Sequence, residues 1–420
     1  MSRRPRRPLS PEAAAVVRAL PGSPVTRRGL LAGAGALGAG AFVAACGTGT
    51  STTGGTADVK PAAAVDRSDT EKIVNWSNWT AYLDKDDENK TYPTLEGFSK
   101  KSGIKATYAE DIEDNDSYFG KIQGQLKNGQ DFGKDVIVFT DYMAARVIRQ
   151  GYAQKFDDAV MPNKANILDT LANVDYDKGR HYSLTWQSGY AGLGWNRKLL
   201  KEITGKDTLE NVSDLWDPKL KGRIEVLSEF RDTIGLIMLE HGVDISAVSW
   251  GGPEFTKAMN EFSTQLDSGQ IRSVKGNSYI EDLKAGDAVA VIGWSGDVLA
   301  ANLEAKAEKY GFALPTTGGT LWSDNMLIPV GSPHKKNAEM LMNYYYDPKV
   351  AAEVAAYVNY ICPVKGAVDH IDEFDDTGQL KKSSYIFPTA GDLAKMHVFR
   401  TLTPVEEATY TGAFQKKLGV

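Results

Sequence analysis

Several short stretches of this 420-residue chain set an aromatic ring beside a carboxylate or a hydroxyl. They are Trp79-Thr80-Ala81-Tyr82, Thr140-Asp141-Tyr142 and Trp322-Ser323-Asp324, with Trp294 of Ile292-Gly293-Trp294 at a further strand end. Such groups suit one task, which is holding an organic cation out of water. A ring face attracts an ammonium by about 0.5–2 kcal/mol and gives contact area to methylene groups. An ammonium buried without counter-charge costs several kcal/mol, so carboxylates must stand near the rings. The spacing between those acids then measures the length of the guest.

Signatures of covalent chemistry are mostly missing. His181, His241, His334, His370 and His397 are scattered, without the pairing that zinc hydrolysis needs. There is no Gly-x-Ser-x-Gly elbow and no phosphate-cradling loop; Gly318-Gly319-Thr320 lacks the lysine and the helix. Cys362 has no evident histidine or asparagine partner and reads as a small buried residue. A glycosidase-like pair of carboxylates stays open as an alternative, since Asp and Glu are plentiful. Neither cofactor nor metal is implied.

The elements that must position these groups alternate between strand and helix. Strands are expected at 72–76, 104–108 and 135–139, with helices at 94–102, 115–128 and 143–149. Asp135-Val136-Ile137-Val138-Phe139 is nearly continuous in apolar residues, as a strand buried on both faces should be. A second such unit follows, with strands at 190–196, 223–227, 288–294 and 312–314 and helices at 232–240, 253–266, 278–284 and 298–309. Strand 326–330 and helix 336–345 return to the first unit. This order predicts an α/β fold of two lobes, each a mixed, mostly parallel sheet flanked by helices. Ligands bind beyond the carboxyl ends of such strands, so the aromatic stretches fall where a cleft would lie.

Upstream, residues 1–28 are basic and rich in proline. Thr26-Arg27-Arg28-Gly29-Leu30-Leu31 leads into a short Gly/Ala-rich apolar run ending Val43-Ala44-Ala45-Cys46. A basic region, a short greasy segment and small residues at a cleavage site make an export leader, and paired arginines favour the twin-arginine route. Val43-Ala44-Ala45-Cys46 resembles a lipobox, so residues 1–45 are expected to be removed and Cys46 to carry lipid. The small, polar residues 46–69 read as a flexible linker. The body beyond is too long for one core. Net charge is −6, which argues against nucleic acid and mildly favours cationic ligands.

The best segments are Asn78-Trp79-Thr80-Ala81-Tyr82, Thr140-Asp141-Tyr142-Met143, Glu229-Phe230-Arg231-Asp232, Ile292-Gly293-Trp294, Leu321-Trp322-Ser323-Asp324 and Asn359-Tyr360. In order and spacing, over about residues 72–360, they resemble the spermidine/putrescine-binding proteins, solute-binding subunits of ABC importers. The resemblance implies a type II periplasmic-binding-protein clamshell whose hinge is crossed two or more times. It implies that Trp79, Tyr82, Trp294, Trp322 and Tyr360 wall the ligand, that Thr80, Thr140 and Tyr142 offer hydroxyls, and that Asp324 grips one ammonium. Asp141 stands beside them, and Glu229 and Asp232 fall where the family places acids for the other amino groups.

The chain departs from the family's pattern in carrying Ala81 in place of a polar residue, Phe139 before Thr140, and Glu229 and Asp232 in reversed order. The lobes are expected at 70–190 with 323–368, and at 191–322 with 369–420. The partners implied are a polyamine, a membrane permease and, through Cys46, the membrane; a monomer is expected. The alternatives are the same fold with an amino acid or opine derivative, a quaternary amine or ferric iron, a secreted carboxylate hydrolase, or a surface-interaction protein.

Overall fold

The computed structural model describes residues 60–86, 88–375 and 378–419. The expected leader, Cys46 and the first part of the linker lie outside them. Strand β1 (Ile73–Trp79) starts the first lobe and is followed by α1 (Pro93–Ser102), β2 (Lys105–Ile112), α2 (Asn115–Lys127), β3 (Val136–Thr140) and α3 (Asp141–Arg149). Local chemistry sets these boundaries. Proline opens α1, where its missing N–H costs nothing, and Gly103 closes it at φ 71°, a conformation open to glycine. Asp114 caps α2 by accepting from the Ser117 N–H at 2.8 Å. As its sequence periodicity predicts, α2 buries Tyr118, Phe119, Ile122 and Leu126.

A long strand, β4 (Ser183–Asn196), then carries the chain into the second lobe. There follow α4 (Arg197–Thr204), β5 (Ile224–Leu227), α5 (Phe230–Glu240), α6 (Gly252–Asp267), β6 (Ile271–Lys275), α7 (Tyr279–Ala285), β7 (Ala290–Trp294), α8 (Ser295–Ala305) and β8 (Tyr310–Ala313). Strand β9 (Gly319–Leu327) brings the chain back to α9 (Lys335–Tyr345) and α10 (Pro348–Val358). The described residues end with β10 (Met396–Val398) and α11 (Pro404–Leu418).

All ten of these strands join one sheet, in the order β2-β1-β3-β9-β4-β7-β5-β6, with β8 added beside β4 and β10 beside β9. Each end of the sheet is parallel, as βαβ connections require: β1 with β2 and β3, and β5 with β6 and β7. The centre is antiparallel. There β9 pairs with β3 on one side and β4 on the other, and β4 continues past β9 to pair with β7 and β8. At 14 residues, β4 spans roughly 45 Å, enough to serve both lobes.

Separate apolar cores form around the two ends. Val74, Trp76, Val138, Leu184, Met326 and Leu341 share one, with Phe119, Ile137, Phe139 and Met143 packed on the other side of the same strands. Leu193, Trp195, Val226, Ile234, Phe262, Ile292 and Phe414 share the core of the second lobe. This is the two-lobed α/β clamshell that the sequence predicts.

Two boundaries differ from expectation. Residues 60–69, read as linker, lie along the first lobe: the Ala64 N–H donates to Val330 O at 2.9 Å and the Arg67 N–H to Pro333 O at 2.7 Å. Small and polar residues can be ordered by backbone hydrogen bonds alone, which composition does not register. Farther on, Ile371, Leu380 and Ile386 pack in the first core, whereas β10 pairs with β9 and Tyr410 lies in the second core. We propose on this ground that the last crossing falls near residues 387–395 instead of 368.

His334 fastens the N-terminal strap. Its ring bridges Asp135 Oδ1 at 2.9 Å and Glu71 Oε2 at 2.8 Å. Burial works against the charged ring, but the bond to Glu71 and the nearby Asp135 outweigh it and raise its pKa above 6.5. The unfolded state therefore gives up its proton first. The stabilisation is complete below about pH 6.5 and is lost as pH rises through the folded value. Urea unfolding between pH 7.5 and 9, above the range where Asp232 titrates, should show wild-type stability falling with pH, and His334→Gln should reduce that slope.

Candidate functional site

Asp324 lies in β9 at the one break in its pairing with β4. Register runs Asp324 to Gln187 and then Asn325 to Thr185, leaving Trp186 as an extra residue, a β-bulge. The bulge turns Trp186 so that its indole N–H donates to the Tyr82 carbonyl at 3.0 Å, which fixes the turn after β1. On the other side Asp324 stands opposite Thr140 of β3. Its carboxylate accepts from the Thr140 hydroxyl at 2.7 Å and from the Tyr82 hydroxyl at 2.8 Å. Asn115 holds Thr140 in place, donating to Oγ1 at 2.9 Å and accepting from the backbone N–H at 3.1 Å. Only 6 % exposed, Asp324 has its pKa pushed up to about 6 by burial.

Asp141 is placed differently. It accepts from the Ser323 N–H at 2.8 Å, the Asn325 amide at 2.9 Å and the Tyr176 hydroxyl at 2.6 Å. Behind these is the buried Arg180, bonded to Asn325 Oδ1 at 2.8 Å and to the Leu171 carbonyl at 2.7 Å. Asp141 thus ties β9 to the start of α3 and sets the position of its neighbours.

Across the cleft, Trp294 ends β7 and packs against the cores of both lobes. Its indole N–H donates to Asp232 Oδ2 at 2.8 Å, and Thr320 donates to the other oxygen at 2.6 Å. Asp232 is buried in the first turn of α5, and burial raises its pKa to about 7. One turn past Trp294, Asp297 accepts from Tyr360 at 2.8 Å and from Tyr279 at 2.9 Å. Burial pushes it up to about 6.

Sequence reasoning missed Asp297, Tyr279 and Thr320. The signal for Asp297 was present, an acid in the first turn of a helix directly after an aromatic strand end.

Tyr360 links the two halves. Its ring meets Tyr82 at 6.0 Å and Trp322 at 5.2 Å, centroid to centroid, while its hydroxyl reaches Asp297. The approach needs backbone without side chains: a Cβ on Gly189 would lie 2.5 Å from the Trp322 ring, and one on Gly296 2.5 Å from that of Tyr360. Trp79 and Trp322 are half-buried, yet their indole nitrogens are buried without a hydrogen-bond partner.

The remaining candidates stand apart from this string. Thr80 is exposed. Glu229 caps α5 and pairs with Arg231 at 3.1 Å, and Arg231 in turn covers the Tyr142 ring at 3.7 Å.

Comparison with known proteins places the chain. The family model for bacterial extracellular solute-binding proteins matches residues 94–382. The chain belongs to that family. Among its relatives is the spermidine/putrescine-binding periplasmic protein 1 of Haemophilus influenzae, 26% identical over 70% of the binding protein and 78% of the relative. The putrescine-binding periplasmic protein PotF of Escherichia coli is also 26% identical, over 82% and 91% of the two chains. Among solved structures, the spermidine/putrescine ABC transporter substrate-binding protein PotD of Streptococcus pneumoniae superposes with a TM-score of 0.67 at 19% identity, covering 83% of the binding protein and 99% of that chain. It has the same fold.

A buried acid with a raised pKa costs the binding protein stability. The folded state holds the Asp324 proton more tightly than the unfolded one, so stability falls as pH rises from about 3.8 towards 6. At pH 7 Asp324→Asn should raise the stability of the unliganded protein by up to about 3 kcal/mol, at 1.36 kcal/mol per pH unit. Denaturant unfolding of the two proteins checks this.

Proposed function

We propose that the protein captures a polyamine in the cleft between its lobes, as an extracytoplasmic receptor that presents the solute to an ABC permease and does no covalent chemistry. The observation that carries this reading is the set of acids formed by the buried Asp324 and Asp232 and the half-buried Asp297. Each is hydrogen-bonded by hydroxyl or indole donors, and each is pushed well above the usual carboxylate range by burial. Ammonium groups arriving beside them supply the missing positive charge. The rings of Tyr82, Tyr360, Trp322, Trp294 and Trp79 give flat apolar surface for the methylenes between.

In this reading Asp324, Asp297 and Asp232 contact the ligand's amino groups, and Thr140 and Tyr82 orient Asp324. Asp141 positions β9 from behind. Glu229 and Tyr142 serve through Arg231 instead of touching ligand, and Thr80 lies at the rim. We infer also that the protein is exported by the twin-arginine route, is held to the outer face of the cytoplasmic membrane by lipid on Cys46, and acts as a monomer. The curated relatives named for spermidine and putrescine support the ligand class.

Calorimetric titration tests the proposal. Putrescine or spermidine should bind, and betaine, sugars and ferric iron should not. Asp324→Ala should weaken binding by roughly 2–5 kcal/mol, the cost of stranding a buried charge. The acids must ionise to pair with ammonium, so affinity should fall as pH drops from 7.5 to 5.5. Binding near pH 6.5 should release protons, read as a dependence of the measured heat on the buffer's ionisation enthalpy. Unaltered affinity in Asp324→Ala would remove the aspartate from the site.

A further inference from the structure

Glu407 occupies a position where the pattern of α11 calls for an apolar side chain. Tyr410 and Phe414, three and seven residues on, continue the same buried face. They stack on Phe255 and Phe262 of the second lobe, with ring centroids 4.1 and 5.2 Å apart. The carboxylate, 9 % exposed, is met by Arg146 at 2.9 Å, Arg149 at 3.4 Å and Arg231 at 3.6 Å.

Those arginines come from different lobes. Arg146 and Arg149 are on α3, whose Met143, Ala144 and Val147 lie in the first-lobe core. Arg231 is on α5, whose Phe230 and Ile234 lie in the second. The cluster continues outward on both sides: Arg146 binds Asp116 at 2.9 Å, and Arg231 joins Glu229 at 3.1 Å and the Tyr142 ring at 3.7 Å. None of these groups belongs to the string from Asp324 to Asp232.

We propose that Glu407 is a latch. It is a positioning residue that gathers Arg146 and Arg149 of the first lobe onto the C-terminal helix of the second, and so sets how slowly a captured solute leaves. The role of the solute rests on the polyamine reading above. When the lobes part, Arg146 and Arg149 move away with α3 and Glu407 stays with Arg231, so the cross-lobe pairs exist only in the closed form. Breaking such a pair by removing one partner acts mainly on dissociation, because a largely buried charge is left uncompensated.

The test uses the wild-type protein, Glu407→Gln, Arg146→Gln and the double variant. Putrescine binding and release are followed by stopped-flow tryptophan fluorescence, and small-angle scattering is recorded with and without putrescine. Each single variant should release putrescine about ten-fold faster or more, with association changed by less than about two-fold. The double variant should be little worse than either single, as expected of a shared contact. Unliganded variants should also scatter as more open particles.

Unchanged release together with unchanged scattering overturns the latch. If wild-type protein binds neither putrescine nor spermidine, the polyamine reading fails, and the unliganded scattering decides the latch by itself. Should Glu407→Gln not fold, Arg146→Gln, altered in the other lobe, carries the same comparison.

Discussion

Everything in this molecule turns on carboxylates withdrawn from water and answered by neutral donors. A hydroxyl or indole N–H satisfies a lone pair but not a charge, so Asp324, Asp297 and Asp232 keep an electrostatic debt that folding alone does not settle. Asp141 is the informative contrast. It sits one residue from Thr140, half-buried, and Arg180 lies behind its partners Tyr176 and Asn325. Arg180 offsets part of the burial that raises Asp141, whereas no cation of the protein does so at Asp324 or Asp297.

The sheet supplies the precision. Asp324 faces Thr140 because β9 and β3 are in antiparallel register, and it lies where β4 carries Trp186 as an extra residue. Tyr360 reaches between the lobes because Gly189 and Gly296 leave room for its ring. Since β4 and β9 belong to both lobes, small rotations about their middle move the second-lobe acids relative to Asp324 without disturbing either core.

Much of this was legible in the chain. The continuous apolar run before Thr140 and the faced pattern of α2 marked the first lobe, and rings beside acids at strand ends marked Tyr82, Trp322 and Asp324, which the structure brings together around Tyr360. What stayed hidden depends on distance in space. Strand β6, Ile271–Lys275, carries a polar face and no strong alternation, so its pairing with β5 is set by tertiary context. The alanine-rich α10 buries a face too weak to announce itself. Glu229 and Asp232 were matched alike by the family resemblance, and only the structure separates them, pairing Glu229 with Arg231 and Asp232 with Trp294 and Thr320. Glu407, beyond the last recognisable segment, could be read only once α3 was seen beside it.

The strap of residues 60–71 has a mechanical meaning. Through Ala64, Arg67 and the doubly bridged His334 it is fastened, among the described residues, to the first lobe. Tension applied at the amino end is therefore absorbed there and never runs through β4 or β9. Under the lipid tether proposed above, such a body is tugged without being pried open, and the far lobe is left free to swing.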